Sequence, residues 1–172
     1  MGIFYHVAPL EPEVRDWLES QSIECPDGTS RWPTRGELRA VLDAFRGFEV
    51  RFTENGPGHR WDAFVSDGKH DGNWTLLHAE PQHNSDDITH LYFEKGEPTL
   101  IVAILRALSA VTGPFMLLAD VGGPPMVVSK SRLIENTLAD HFTIDPASER
   151  WQTLLASAPE AALVDSEEAQ SR

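Results

Sequence analysis

Three of the seven histidines in the chain lie in one short stretch, 78-HAEPQHNSDDITH-90. Imidazole and carboxylate groups are ligands that zinc accepts, and a zinc ion held by three of them keeps an open position for water. Water bound in this way becomes a nucleophile near neutral pH. His78 and His90, together with either Glu80 or His83, could supply the three ligands. The stretch is therefore compatible with a small metal-dependent hydrolase or a zinc-binding protein.

The same stretch is also typical of a hairpin at a polar edge of a sheet. Its histidine spacing matches no known metal motif such as HExxH or paired CxxC. In this interpretation the histidines cap the loop and pack by their ring faces, and the protein needs no cofactor. The residue types alone leave both interpretations open.

Alternating segments on both sides of the loop 81–87, WTLLHAE and ITHLYFE, predict two antiparallel strands. With a symmetric register across that loop, His78 lies directly opposite His90. The more apolar face is expected to be the core; it carries Thr75, Leu77, Ala79, Thr89, Leu91 and Phe93. The other face mixes aromatic, imidazole and carboxylate groups, as binding surfaces do; it carries Trp74, Leu76, His78, Glu80, Ile88, His90, Tyr92 and Glu94. The predicted binding surface on this second face comprises Trp74, His78, Glu80, His90 and Tyr92.

The segments that come before and include this hairpin predict a sheet with covering helices. GIFYHV reads as a strand, and PEVRDWLESQ as a helix with Val14, Trp17 and Leu18 on the side facing the sheet. Thr34 and Glu37 have the spacing of a capping box at the start of a second helix. From 48 to 94 the period becomes alternating, and four short segments predict an antiparallel meander.

Later segments supply the helix that should lie in the core. TLIVAILRALSAVTG is apolar almost all round and is expected to be the central buried helix. FMLLA and MVVS flank DVGGPP and predict a second hairpin. SRLIENTLADHF and DPASERWQTLLASA close the chain as two helices, the last one starting at Asp145 and Pro146.

The predicted fold class is therefore α+β. A chain of 172 residues suits one domain, placed at residues 1–158, and residues 159–172 read as an acidic, frayed tail. The domain is an antiparallel meander of about four strands plus a second hairpin, packed against a buried central helix and flanking helices. Exposed sheet edges leave both a monomer and a homodimer open.

The composition of the chain limits which binding partners and which cellular location we expect. A net charge of −13 would repel nucleic acid and anionic lipid, so we expect neither as a partner. A single cysteine, Cys25, and an N-terminus without a secretory signal favour the cytoplasm. The longest apolar run, Leu100 to Leu105, is too short to cross a membrane.

No GxSxG elbow, phosphate-binding loop or dinucleotide fingerprint occurs, which favours a non-enzymatic protein. The organisation, a small acidic α+β domain with a meander and a strongly apolar helix leading into TGPFMLLADVGGPPMVVS, resembles immunity proteins of bacterial polymorphic-toxin and secretion systems. The resemblance is one of overall type and covers residues 1–157. It implies a protein that occludes the active site of a toxin, with an acidic and aromatic surface meeting a basic one. The metal-binding protein and an apolar small-molecule pocket remain alternatives.

Overall fold

A computed structural model describes residues 2–56, 58–82, 85–130 and 147–159, which contain seven strands and four helices. The strands are β1 (Phe4–Pro9), β2 (Glu49–Glu54), β3 (Trp61–Ser66), β4 (Trp74–Pro81), β5 (Ile88–Gly96), β6 (Phe115–Ala119) and β7 (Met126–Val128). The helices are α1 (Pro12–Ser20), α2 (Arg35–Asp43), α3 (Pro98–Thr112) and α4 (Glu149–Ser157). The α+β class is confirmed.

All seven strands belong to one antiparallel sheet in the order β2-β3-β4-β5-β1-β6-β7. The predicted meander is β2 to β5. The predicted second hairpin, β6 and β7, is not a separate unit, which corrects the description of four strands plus a hairpin. It joins the sheet because β1 pairs on both sides, with Tyr5 opposite Phe93 of β5 and Ala119 of β6.

The main core lies between one face of the sheet and α3. Nearly every side chain of α3 is buried, as expected for a helix that is apolar all round. Leu77 and Phe93 point from the sheet toward the same core, and neither is exposed. Each fully buried side chain of this size stabilises the fold by about 1.5–3 kcal/mol.

Helix α2 flanks α3 and begins at the predicted capping box. The Thr34 hydroxyl accepts a hydrogen bond from the Glu37 backbone N–H at 3.2 Å, and the Glu37 carboxylate accepts one from the Thr34 N–H at 2.9 Å. Arg31 also donates to Glu37, at 2.7 and 2.8 Å. Hydrogen bonds from Arg31 and Thr34 lower the pKa of Glu37 to about 2.

Helix α1 packs on the opposite side of the sheet from α3. Leu18 is buried against Leu10 and Val127 of β7, with Val14 beside them. Trp17 is 43% exposed, so its predicted position on the side facing the sheet is wrong. The side of α1 that packs on the sheet is the one with Val14 and Leu18, at the β6–β7 end.

Helix α4 closes the core from the side of α3. It begins at Glu149 with Ser148 as its N-cap, where the Ser148 hydroxyl accepts from the Trp151 N–H at 3.2 Å. The predicted start at Asp145 and Pro146, the helix over 131–142 and residues 160–172 of the predicted tail lie outside the described residues. No helix in the described ranges has the length and apolar character needed to cross a bilayer.

Candidate binding face

The sheet face opposite α3 carries the mixed surface predicted from the sequence. Strand alternation directs Leu77, Ala79 and Phe93 into the core, so their neighbours along β4 and β5 point the other way. We call this the open face and define it on β1 and β3 to β5: Phe4, His6, Asp62, Phe64, Trp74, Leu76, His78, Glu80, His90, Tyr92 and Glu94. Among the described helices, α1 packs on this side, and it contacts the β6–β7 end.

The pairing of β4 with β5 differs from the predicted register by two residues. His78 lies opposite Tyr92, and Glu80 lies opposite His90, so the two histidines are not directly facing each other. Where the strands leave the loop, the Gln82 N–H donates to the Asp87 carbonyl at 2.7 Å. Because a shift of two residues preserves the side-chain alternation, both faces of the hairpin keep nearly all their predicted members.

A register irregularity between Glu80 and Pro81 accounts for the two residues that change sides. Ile88 pairs with Pro81 and is buried in the main core, although the alternation predicts it on the mixed face. Thr89 is exposed rather than in the core. The extra residue on one strand reverses the alternation locally, and a symmetric register could not anticipate this.

His78 forms the centre of a hydrogen-bonded cluster across three strands. Its Nδ1 lies 2.5 Å from Oδ1 of Asp62 on β3, and its Nε2 lies 3.0 Å from Oε2 of Glu94 on β5. His78 is only 3% exposed. The imidazole is therefore a buried bridge between two carboxylates, and it supports the open face from beneath instead of forming its outer surface.

Asp62 is also held by an arginine. Arg60 donates from Nε to Oδ1 at 2.8 Å and from Nη2 to Oδ2 at 3.4 Å. Partial burial raises the pKa of Asp62, but the hydrogen bonds and charges of His78 and Arg60 outweigh it. The pKa of Asp62 therefore lies below its ordinary value, which indicates a carboxylate stabilised in its ionised form.

Tyr92 is fixed by the same cluster. Its ring lies 4.8 Å from the His78 ring, centroid to centroid, and its hydroxyl accepts a hydrogen bond from Nη1 of Arg60 at 3.3 Å. A half-buried tyrosine that is held at both ring and hydroxyl loses little further side-chain entropy when a partner binds. Tyr92 is therefore preorganised on the open face.

Apolar side chains occupy the neighbouring positions of the face. Phe64 and Trp74 are each 37% exposed, and their rings lie 6.0 Å apart in a tilted arrangement. Leu76 lies opposite Phe64 in the β3–β4 pairing. Phe4 extends this apolar area across β1, 6.1 Å from the Tyr92 ring. Contiguous exposed apolar side chains with polar neighbours mark interaction sites more often than isolated ones do.

Two further histidines border the aromatic part of the face. The His90 ring lies 5.4 Å from the Tyr92 ring and 6.2 Å from the His6 ring. Trp32, from the segment before α2, approaches His90 at 6.4 Å. Glu80, opposite His90, is exposed. Of the predicted binding surface, Trp74 and Glu80 are exposed and His90 and Tyr92 are partly exposed, whereas His78 is buried.

The predicted zinc ligands do not converge in the described part of the chain. Within residues 2–56, 58–82, 85–130 and 147–159, no group of three or more histidine, cysteine or acidic side chains is arranged to hold a metal ion. Both ring nitrogens of His78 contact carboxylates. His83 lies outside the described residues. The zinc hypothesis stays a prediction.

Sequence reasoning missed the roles of Asp62, Arg60 and Glu94. In WDAFVSD, Asp62 lies between the buried residues Trp61 and Ala63, so alternation alone places it on the open face. Its pairing opposite His78 depends on the β3–β4 register, which no turn signal specifies. The cluster was therefore predictable as a set of neighbours on one face but not as bonded partners.

Comparison with known protein families, with characterised proteins and with solved structures finds no match to this chain.

Proposed function

We propose that this protein is a non-enzymatic protein-binding domain that engages its partner through the open face. The observation that carries the proposal is the pair of partly exposed aromatic residues Phe64 and Trp74 beside a tyrosine fixed in place by the His78 cluster. Aromatic residues that are held in place before binding are among those that contribute most of the binding energy at protein interfaces.

The hydrogen bonding of His78 favours binding over catalysis. A general base needs a ring nitrogen that is free to take a proton from a substrate. In His78 each ring nitrogen contacts a carboxylate oxygen, at 2.5 Å for Asp62 and 3.0 Å for Glu94. The cluster has the properties of a structural support for the face.

The charge of the chain favours a basic partner. A net charge of −13 raises the rate of encounter with a positively charged surface and disfavours binding to an acidic one. Together with the resemblance to immunity proteins, this leads us to propose an inhibitor that neutralises a toxin or effector by covering its surface. The proposed location is the cytoplasm.

The test compares two tryptophans of similar exposure. Trp74 lies on the open face and is 37% exposed, whereas Trp17 lies on α1 and is 43% exposed. Wild-type protein, Trp74→Ala, Tyr92→Ala and Trp17→Ala are isolated from their own cell extract and examined by native mass spectrometry. Any protein that co-purifies at defined stoichiometry is then purified and titrated against each variant.

We expect Trp74→Ala and Tyr92→Ala to weaken binding of the purified partner by about tenfold or more, and Trp17→Ala by less than about twofold. The thermal midpoints of the Trp74 and Trp17 variants should stay close to that of the wild type, because neither side chain is in the core. Equal affinity of wild type and Trp74→Ala for the partner would refute the open face as the binding surface.

A further inference from the structure

Glu94 has a distinct position on the open face. Its Cα partners are Leu76 on β4 and Phe4 on β1, and Leu76 is itself opposite Phe64 on β3. Four adjacent strands therefore present the row Phe64, Leu76, Glu94 and Phe4. The Glu94 carboxylate thus has Leu76 on one side, with Phe64 beyond it, and Phe4 on the other side. The Glu94 side chain is 29% exposed.

Two arginines at the β2–β3 side of the sheet are already paired with carboxylates of this chain. Arg60 pairs with Asp62 at 2.8 Å, and Arg51 pairs with Glu49 at 2.7 Å. Glu94 contacts His78 through Oε2, and no lysine or arginine among the described residues forms an ion pair with it. Among the described residues, the hydrogen bond of the Glu94 carboxylate is the one from His78 to Oε2, so Oε1 can accept from a group of a partner.

This arrangement has the chemistry that recognises a guanidinium group. An arginine can donate to a carboxylate with its planar fork while its flat faces pack on neighbouring rings, which a lysine ammonium cannot do equally well. Phe4 and Tyr92, 6.1 Å apart, supply rings beside Glu94. A carboxylate that an approaching apolar surface would desolvate needs a cation to offset that cost.

We infer that Glu94 is the anchor for an arginine side chain of the partner, inserted between the apolar side chains of the open face. The inference rests on the proposed function, since it names the group that the partner presents. It also adds a specificity element: the partner must place an arginine within an otherwise apolar contact surface.

The test uses a defined probe with the full chain. The blocked peptide Ac-Leu-Arg-Leu-NH2 is titrated into isotope-labelled protein, and amide chemical shifts are followed. The same peptide with citrulline in place of arginine keeps the shape but lacks the charge. Protein variants are Glu94→Gln, which retains an oxygen acceptor for His78, and Glu19→Gln, an exposed residue of α1 that changes the net charge equally.

We expect the arginine peptide to shift the amides of Leu76, Glu94 and Phe4, with citrulline or Glu94→Gln weakening binding by about tenfold and Glu19→Gln by less than about twofold. Equal binding of both peptides, or no binding of the arginine peptide, would overturn the inference.

The purified partner separates this inference from the proposed function. If the partner loses affinity with Trp74→Ala but binds Glu94→Gln as tightly as wild type, the arginine anchor is wrong and the binding face stands. If neither substitution weakens the partner, both are wrong. If both weaken it by about tenfold, the anchor is supported.

Discussion

Replacing His78 tests whether the cluster beneath the open face stabilises the fold. His78→Leu keeps a similar volume and removes hydrogen bonds to two carboxylates. A hydrogen bond to a charged group contributes about 1.5–3 kcal/mol. The side chains of Asp62 and Glu94 are 17% and 29% exposed, so water replaces part of what is lost. We therefore expect the free energy of unfolding to fall by about 2–4 kcal/mol.

The assay is urea unfolding at pH 7, followed by far-ultraviolet circular dichroism. With an m-value of about 2 kcal/mol/M, the expected loss moves the midpoint by roughly 1–2 M. The matched control is His6→Leu, an exposed histidine on the same face, which should change stability by less than about 0.5 kcal/mol. A double-mutant cycle of His78→Leu with Asp62→Asn should give a coupling of about 1.5–3 kcal/mol.

The pH dependence supplies a second criterion. The pKa of Asp62 in the folded protein lies below its ordinary value of 3.8 because of His78 and Arg60, despite the opposing effect of burial. A carboxyl group with a lowered pKa stabilises the fold above its ordinary pKa, and that contribution is lost as the pH falls through the folded value. The stability gap between wild type and His78→Leu should therefore narrow below about pH 4. A loss no larger than that of His6→Leu at pH 7 would refute the reasoning.

Three other predictions concern the scaffold. Thr34→Ala removes half of the capping box and should lower the free energy of unfolding, measured with urea, by about 1 kcal/mol. The pKa of Glu37 in the folded protein is about 2, so its contribution to the stability of the fold should be lost only as the pH drops from about 4.5 toward 2. Gly96→Ala should cost several times more than Gly68→Ala by the same assay: both have positive φ, but a Cβ at 96 would collide with the backbone of β4 while that at 68 meets open space. Trp151→Ala should lower stability by about 3–5 kcal/mol, since this side chain of α4 is fully buried; a loss below about 1 kcal/mol would show that α4 is not part of the core.

The sequence was sufficient for elements in which local and tertiary preferences agree. The capping box at Thr34 and Glu37 formed as predicted because both partners lie within one turn. The apolar helix α3 occupies the core because apolar side chains lie on nearly every side of it. Trp17 was misplaced for the opposite reason: helical periodicity identifies an apolar side but not how much of it the sheet can cover.

Strand order and register were beyond local reasoning. Alternation specifies which face a residue occupies, so the mixed composition of the open face was predictable. It does not specify which residue lies opposite: His78 lies opposite Tyr92 instead of His90, and the irregularity between Glu80 and Pro81 contributes one residue of this two-residue difference. The insertion of β1 between β5 and β6 joins residues about 90 and 110 positions apart, and such pairing leaves no trace in a local window.

The edges of the sheet bear on where a partner binds. Edge strand β2 carries Glu49, Arg51 and Glu54, and the opposite edge strand, β7, is three residues long. Charged side chains and short length both disfavour addition of a further strand at an edge. The open face, in contrast, offers the exposed rings of Phe64 and Trp74 near Tyr92, whose hydroxyl is held by Arg60. For the protein partner that we propose, we therefore expect contact with the open face instead of addition of a strand at β2 or β7.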